Sequence, residues 1–412
     1  MLAIEPAALD DDACVAAWAA SGAMHLTGSV SGPPAVAPAG IVRPLLGLGD
    51  MLASATGRLG TEVRVDPVAL AAQRAAFTGF GRGGSRSAGG YAQMVRALDG
   101  WLALSLPRAA DVAMLPALVG AAVEADDWAE IERRLASMES ERVVETGSLL
   151  GLALAVAGAT AAPDQPWSVH CEALALPRDG RAPVVVDLTS LWAGPLAGGL
   201  LAAAGCRVLK VESVARPDGA RRGPAGFFDQ LNGHKERISL DLPAAPAVER
   251  LQELIAGADL VLEASRPRVM EQWGISATEV VAGGTAWVSI TGHGRSGRHT
   301  NRIAFGDDAA VSGGLVVPGD PPMFVGDAIA DPIAGLAAAS VASHLLAEGR
   351  AALVDVSLAG TSAWVAVHGG APIDRPVVHS DGCWQVELTG GPVPVRPPAV
   401  PDEVTACPVA TK

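Results

Sequence analysis

The chain has 412 residues, half of them apolar, and a formal charge of −14. That length suggests two or three domains with substantial cores, and the composition excludes a disordered chain. The acidic balance argues against a nucleic-acid surface or a polybasic membrane anchor, so any anionic ligand needs a local positive patch.

The start, MLAIEPAALDDD, lacks the basic-then-apolar pattern of a secretory signal, and the expected location is the cytoplasm. Residues 1 to about 180 read as helices and short strands broken by Gly/Ser/Pro stretches. GFGRGGSRSAGG, 79 to 90, lacks the Lys-Ser/Thr ending of a phosphate loop and is expected to be a mobile surface loop. The uncharged run from Thr146 to Pro163 is interrupted by Gly147, Gly151 and Gly158, which favours a buried helix-turn-strand segment over a membrane span. Cys14, Cys171, Cys206, Cys383 and Cys407 are scattered singly, so no zinc site or redox pair is expected and they read as structural thiols.

From residue 183 strands and helices alternate. VVVDL (184 to 188) is a buried strand, Pro195 to Ala204 a short helix closed by Gly205, and CRVLKVE (206 to 212) a second strand. A helix over about 247 to 256, the strand DLVLE (259 to 263) and the strand AWVSITG (286 to 292) continue the alternation. The pattern predicts an α/β fold with a doubly wound, mainly parallel sheet as the large domain, whose ligands bind at the carboxyl ends of its strands. Glu212 would suit a ribose, but the turn from Ser190 to Pro195 has no Gly-x-Gly-x-x-Gly, which leaves a nicotinamide-dependent oxidoreductase a weak alternative.

Between Arg207 and Arg237 stand seven Lys/Arg against four Asp/Glu, and two of the chain's three lysines, Lys210 and Lys235, fall there. This is the candidate phosphate-binding patch, although a solvated flank explains the same residues. ITGHGRSGRH (290 to 299) leaves a strand through three glycines beside His293, with backbone N–H groups that could face an anion. ALDGWLALSL (97 to 106) and HSDGCWQVEL (379 to 388) echo each other as a turn followed by a Trp-bearing strand.

GDAIADPIAG (326 to 335) sets Asp327 and Asp331 among apolar residues. Asp331 before Pro332 is a good helix N-cap, and the helix from Ile333 to Ala347 stops at Gly349. Capping and chemistry both remain open from the residues alone.

Taken in order, DLTSLWAGPLAGGLLAAAGCRVLKVE, LNGHKERISLDL, ADLVLEASRPRVMEQWGI, VSITGHGRSG and GDAIADPIAG resemble the family III CoA-transferases over about residues 183 to 368. The resemblance implies an α/β large domain, a smaller α+β domain, and an interlocked homodimer or a partner subunit of the same family. It implies transfer of CoA from an acyl-CoA to a free carboxylic acid, with the CoA thioester as substrate and no tightly bound cofactor or metal. It places the nucleophile on Asp331, which would open the thioester through an aspartyl mixed anhydride. An acyl-CoA racemase of the same family, or a catalytically silent CoA-binding subunit, is the alternative.

Positions that grip CoA in one branch fall on Trp192, Ser213, Leu240, Ala264, Ser265 and Gln272, so polar contacts are lost there. Lys235, Arg216, Arg221 and Arg266 are the expected replacements, with Gly292, His293 and Gly294 near the acyl end. The histidine of the racemase branch falls on Gly306 in AFGDDAA, which argues against racemisation. The expected division is a small-domain-like region over 1–180, the large domain over 181–370, and a tail with a small-domain-like strand over 371–412. In the family most of the small domain follows the catalytic blocks, whereas here its counterpart precedes them.

Overall fold

A computed structural model of the chain describes residues 4–36, 40–124, 126–370, 373–400 and 405–408. Its centre is a seven-stranded sheet. In chain order the strands are β1 (Ser168–Leu174), β2 (Val184–Leu188), β3 (Arg207–Ser213), β4 (Glu236–Leu240), β5 (Leu260–Glu263), β6 (Ala286–Thr291) and β7 (Arg350–Ser357). They lie side by side in the order β1-β7-β6-β5-β2-β3-β4. Every pairing is parallel except that of β1 with β7. Central strands such as β5 are buried on both faces, which is why they read as continuous apolar runs rather than alternating ones. The strand order reverses between β2 and β5, and their carboxyl ends open the crevice where such sheets hold ligands.

Three helices set the site against this sheet. They are α1 (Val42–Arg58), α2 (Ala193–Ala203) and α3 (Ala330–Glu348). Helix α3 is apolar on all faces and buried along almost its whole length, as expected of a core helix enclosed by neighbours. Its small residues allow close approach: a Cβ at Gly335 would lie 2.6 Å from the Ala193 carbonyl oxygen of α2. On another side the Ser340 hydroxyl donates to the Leu48 carbonyl of α1 at 3.0 Å. Gly349, at φ 62°, ends the helix in the left-handed conformation that glycine adopts without strain.

Residues 1–180, expected to be a small-domain-like region, divide between two cores. Trp18, Leu45, Leu48 and Leu52 share the core of the large sheet, because α3 needs an apolar cover on the side α1 supplies. Residues 92–156 build a separate core of Leu102, Leu104, Leu118, Ile131 and Leu154. It sits on an antiparallel sheet of Ala92–Arg96, Trp101–Ser105 and Ala153–Val156. The uncharged run is the expected helix-turn-strand, the helix Ser140–Leu149 followed by Ala153–Val156. Both Trp-bearing echoes are hairpins, Trp101 pairing with Arg96 and Trp384 with His379. In the C-terminal stretch Val386 and Val395 join the large core, and Thr405–Pro408 pairs with Thr61–Arg64. Cys14, Cys171, Cys206 and Cys383 are free thiols, burial raising Cys206 to about 12, and the Cys407 side chain lies outside the described residues.

Candidate active site

Asp331 is not an N-cap. Helix α3 begins one residue earlier, at Ala330, with Ile329 in the cap position and no side-chain cap. The preceding turn is tight, with positive φ at Gly326 (62°) and Ala328 (45°). Its geometry closes the helix start through the backbone, so the half-buried Asp331 carboxylate is left for other contacts. Gly306 supplies the space: a Cβ there would lie 2.6 Å from Asp331 Oδ2 and 2.3 Å from the Ala328 carbonyl oxygen. Gly306 opens helix α4 (Gly306–Ser312), whose first turn carries Asp307 and Asp308.

The carboxyls of Asp327, Asp307 and Asp331 therefore converge on Arg74, and Asp308 lies beside them. Asp327, wholly buried, accepts two hydrogen bonds from Arg74, Nε to Oδ2 at 2.9 Å and Nη2 to Oδ1 at 2.5 Å. The Arg74 guanidinium lies 5.1 Å from the Trp192 ring centre and 5.9 Å from that of Phe80. Asp307 accepts from the Ala328 N–H at 3.0 Å, with the buried Ser87 beside it. Asp308 accepts from the Ser105 hydroxyl at 2.8 Å and from the Phe305 N–H at 3.0 Å, while its Oδ2 is buried without a partner.

Burial pushes Asp331 up to about 7; Arg74 opposes this, and the neighbouring Asp307, Asp308 and Asp327 reinforce it. Burial likewise lifts Asp308 to about 7, and burial with the Asp327 charge lifts Asp307 to about 6. Carboxyls held near neutrality can serve as nucleophile in one protonation state and as acid in the other. Sequence reasoning missed Arg74, Ser87 and Ser105. The Gly-rich stretch expected to be a mobile surface loop instead turns inward, with Ser87 buried against Asp307, and its only signal was the cost of so many glycines without a phosphate-loop frame.

The expected CoA-binding residues divide. Lys235 is a correction: its side chain is wholly buried, and Nζ donates to Asp187 Oδ2 at 2.8 Å, the Pro195 carbonyl at 2.8 Å and Asn232 Oδ1 at 3.0 Å. With every donor used and no solvent face, it cannot reach a phosphate. Lys210 is equally buried, held by Asp218 at 2.9 Å and the Thr189 carbonyl at 2.9 Å. Arg221 is bound to Glu212 and lies 4.2 Å from the Phe228 ring centre. Arg216 and Arg266 are exposed and, with Arg268, have no ion-pair partner among the described residues; burial lowers Arg266, and the nearby Arg268 and Arg216 lower it further. Leu240 ends the edge strand β4, and Trp192 is buried with its Nε1 unpartnered.

Gly292 packs tightly, since a Cβ would meet that of Ala304 at 2.8 Å, and its carbonyl accepts from the Ala359 N–H. Gly294, at φ 98°, donates its N–H to Thr291 Oγ1 rather than to open space. His293 is lowered to about 3 by burial and by Arg302 and His299, so it stays a neutral imidazole, and its Nε2 has no partner. It lines a cavity of about 680 Å³ with Arg302, His299 and the Val144–Leu149 segment. None of the four carboxylates lines that cavity.

Residues 183–370 match the family model described as CoA-transferase family III. The succinyl-CoA–D-citramalate CoA-transferase of Chloroflexus aurantiacus is 29% identical over 191 residues, which cover 42% of this chain and 48% of that protein. A probable fatty acyl-CoA transferase of Mycobacterium tuberculosis is 30% identical over 198 residues, covering 44% and 50%. A crystal structure of Rv3272 from M. tuberculosis aligns with a TM-score of 0.40 at 30% identity, over 46% of this chain and 55% of that one. The chain spans about half the length of the curated relatives it matches.

Proposed function

We propose, from the match of residues 183–370 to the CoA-transferase family III model, that the protein moves CoA between an acyl-CoA and a free carboxylic acid with Asp331 as nucleophile. The observation that carries this reading is the Asp331 carboxylate itself. It stands uncapped at the start of a buried helix, against Gly306, among groups that hold it near neutrality.

The ionised Asp331 oxygen attacks the thioester carbonyl carbon, the C–S bond breaks, and CoA leaves as thiolate. The product is a mixed anhydride between Asp331 and the acyl group. Attack by the thiolate on the Asp331 carbonyl carbon releases the first acid and forms an aspartyl thioester. The acceptor carboxylate then displaces the thiolate to give a second anhydride, and the thiolate attacks the acceptor's acyl carbon, regenerating Asp331. Protonated Asp307 or Asp308 can donate a hydrogen bond to a developing oxyanion, and the apolar Ala/Ile surroundings limit hydrolysis of the anhydride. Arg216, Arg266 and Arg268 offer the uncompensated charge suited to CoA phosphates, in the role expected of Lys235. Gly306 leaves no imidazole in the racemase position.

The test is intact-protein mass measurement during turnover with short acyl-CoAs, with hydroxylamine present. Transfer predicts an Asp331 hydroxamate in the peptide map and CoA release; label on Asp327, or none with any acyl-CoA, rejects the assignment.

A further inference from the structure

Within the array, three carboxyls surround Asp331, and the cation that opposes them comes from outside the family-matched segment. Asp307 and Asp308 face it from α4 and Asp327 from the turn before α3. Arg302 acts on Asp308. The cation that opposes the carboxyls at Asp331 most strongly is Arg74, on the short helix Gln73–Thr78, more than a hundred residues before the matched segment. Its guanidinium is oriented by three separate parts of the fold. Asp327 takes two of its N–H groups, Trp192 lies against it from the loop after β2, and Phe80 lies against it from the start of the Gly-rich stretch.

We infer that Arg74 is a positioning residue of the active site: fixed by Asp327, Trp192 and Phe80, it supplies the positive field that lets Asp331 ionise beside Asp307 and Asp308. The inference deepens the transferase reading and takes Asp331 as its nucleophile. It assigns a functional task to a segment that the family match does not reach. The physical basis is Coulombic. In a partly desolvated pocket a cation offsets several carboxylates, and removing it takes the main opposing charge from the group that must be an anion to attack. Arginine suits the task because its planar fork fills both Asp327 oxygens while its face lies on an indole.

The experiment follows the Asp331 carboxyl carbon by NMR in protein labelled with carbon-13 at aspartate side chains, its signal identified by loss in Asp331→Asn. In Arg74→Gln the Asp331 titration should move upward by roughly one unit or more, and the acid limb of adduct formation should move with it. Arg74→Lys should shift less, because it keeps charge and loses the two-pronged contact. If Arg74→Gln does not fold, the comparison is made between Asp327→Asn and the double variant Asp327→Asn with Arg74→Gln, which leaves no stranded carboxylate. An Asp331 titration unmoved by loss of Arg74 in a folded background overturns the inference. The two readings fail separately: a shifted titration without any acyl adduct rejects transfer and keeps Arg74, whereas an adduct with an unmoved titration keeps transfer and rejects Arg74.

Discussion

Two clusters of charge lie inside this protein. Beneath the carboxyl ends of β2 and β3, Lys210 and Lys235 are matched by Asp187 and Asp218, with all four side chains wholly buried. Burial would push Asp187 up, but Lys235 and Lys210 more than reverse it, and its carboxyl lies below the usual range. At the start of α3, by contrast, four aspartates outnumber Arg74 and Arg302, and three of them are raised well above their ordinary values. A balanced buried cluster holds elements in place, while an unbalanced one keeps groups ready to change charge. The difference separates a structural lysine from a binding one and a reactive aspartate from a capping one.

The sharpest way to break the contrast is to remove one member of each cluster. Asp331→Asn is expected to abolish the covalent adduct and reduce transfer by on the order of 10³-fold or more, with little loss of stability, since Asp331 makes no cap. Thermal unfolding together with hydroxylamine trapping checks both halves. Lys235→Ala is expected to do the opposite, destabilising by about 3–5 kcal/mol because Asp187 is left buried and unpaired. Denaturant unfolding reads that loss, and a near-neutral result would mean Lys235 is free.

A smaller perturbation is Gly306→Ala. The new methyl would press on Asp331 Oδ2 and the Ala328 carbonyl, with an expected cost of about 1–3 kcal/mol and slower adduct formation. A crystal structure or kinetic trace showing an undisturbed Asp331 would count against the packing argument.

The pH dependence follows from the raised carboxyls. Each binds its proton in the folded state over a range where the unfolded chain has lost it. That contribution to stability is complete below ~4 and is lost as pH rises towards the folded values of about 6 and about 7. Stability should therefore fall between about pH 4 and about pH 7, by on the order of 1–3 kcal/mol per group, while adduct formation rises over the upper part of that interval. In Asp331→Asn the stability slope should flatten, and an unchanged slope would place the titrating groups elsewhere. The smallest effect is expected at the surface. Arg266→Glu should weaken CoA binding by about 1 kcal/mol and flatten its salt dependence, as a calorimetric titration would show.

How much was legible in the sequence follows the range of the forces involved. The strands β2, β3, β5 and β6, and the helix closed by Gly349, were readable because hydrophobic periodicity and chain-terminating glycines act over a few residues. The DxxxG spacing of Asp331 and Gly335 was readable too, and the structure gives it a cause: Gly335 lets α3 approach Ala193 of α2, which fixes where the helix start sits. Composition alone could not tell that Lys235 is enclosed, since a basic residue in a basic stretch looks the same whether its partner is a phosphate or Asp187, 48 positions away. Nor could it bring Arg74 to Asp327 across 253 positions, or turn the Gly-rich stretch inward so that Ser87 meets Asp307. Local propensity determined which segments are strands and helices and which aspartate sits in the first turn of α3. Only tertiary packing decided which charges are left unbalanced, because burial and pairing are set by neighbours distant in the chain.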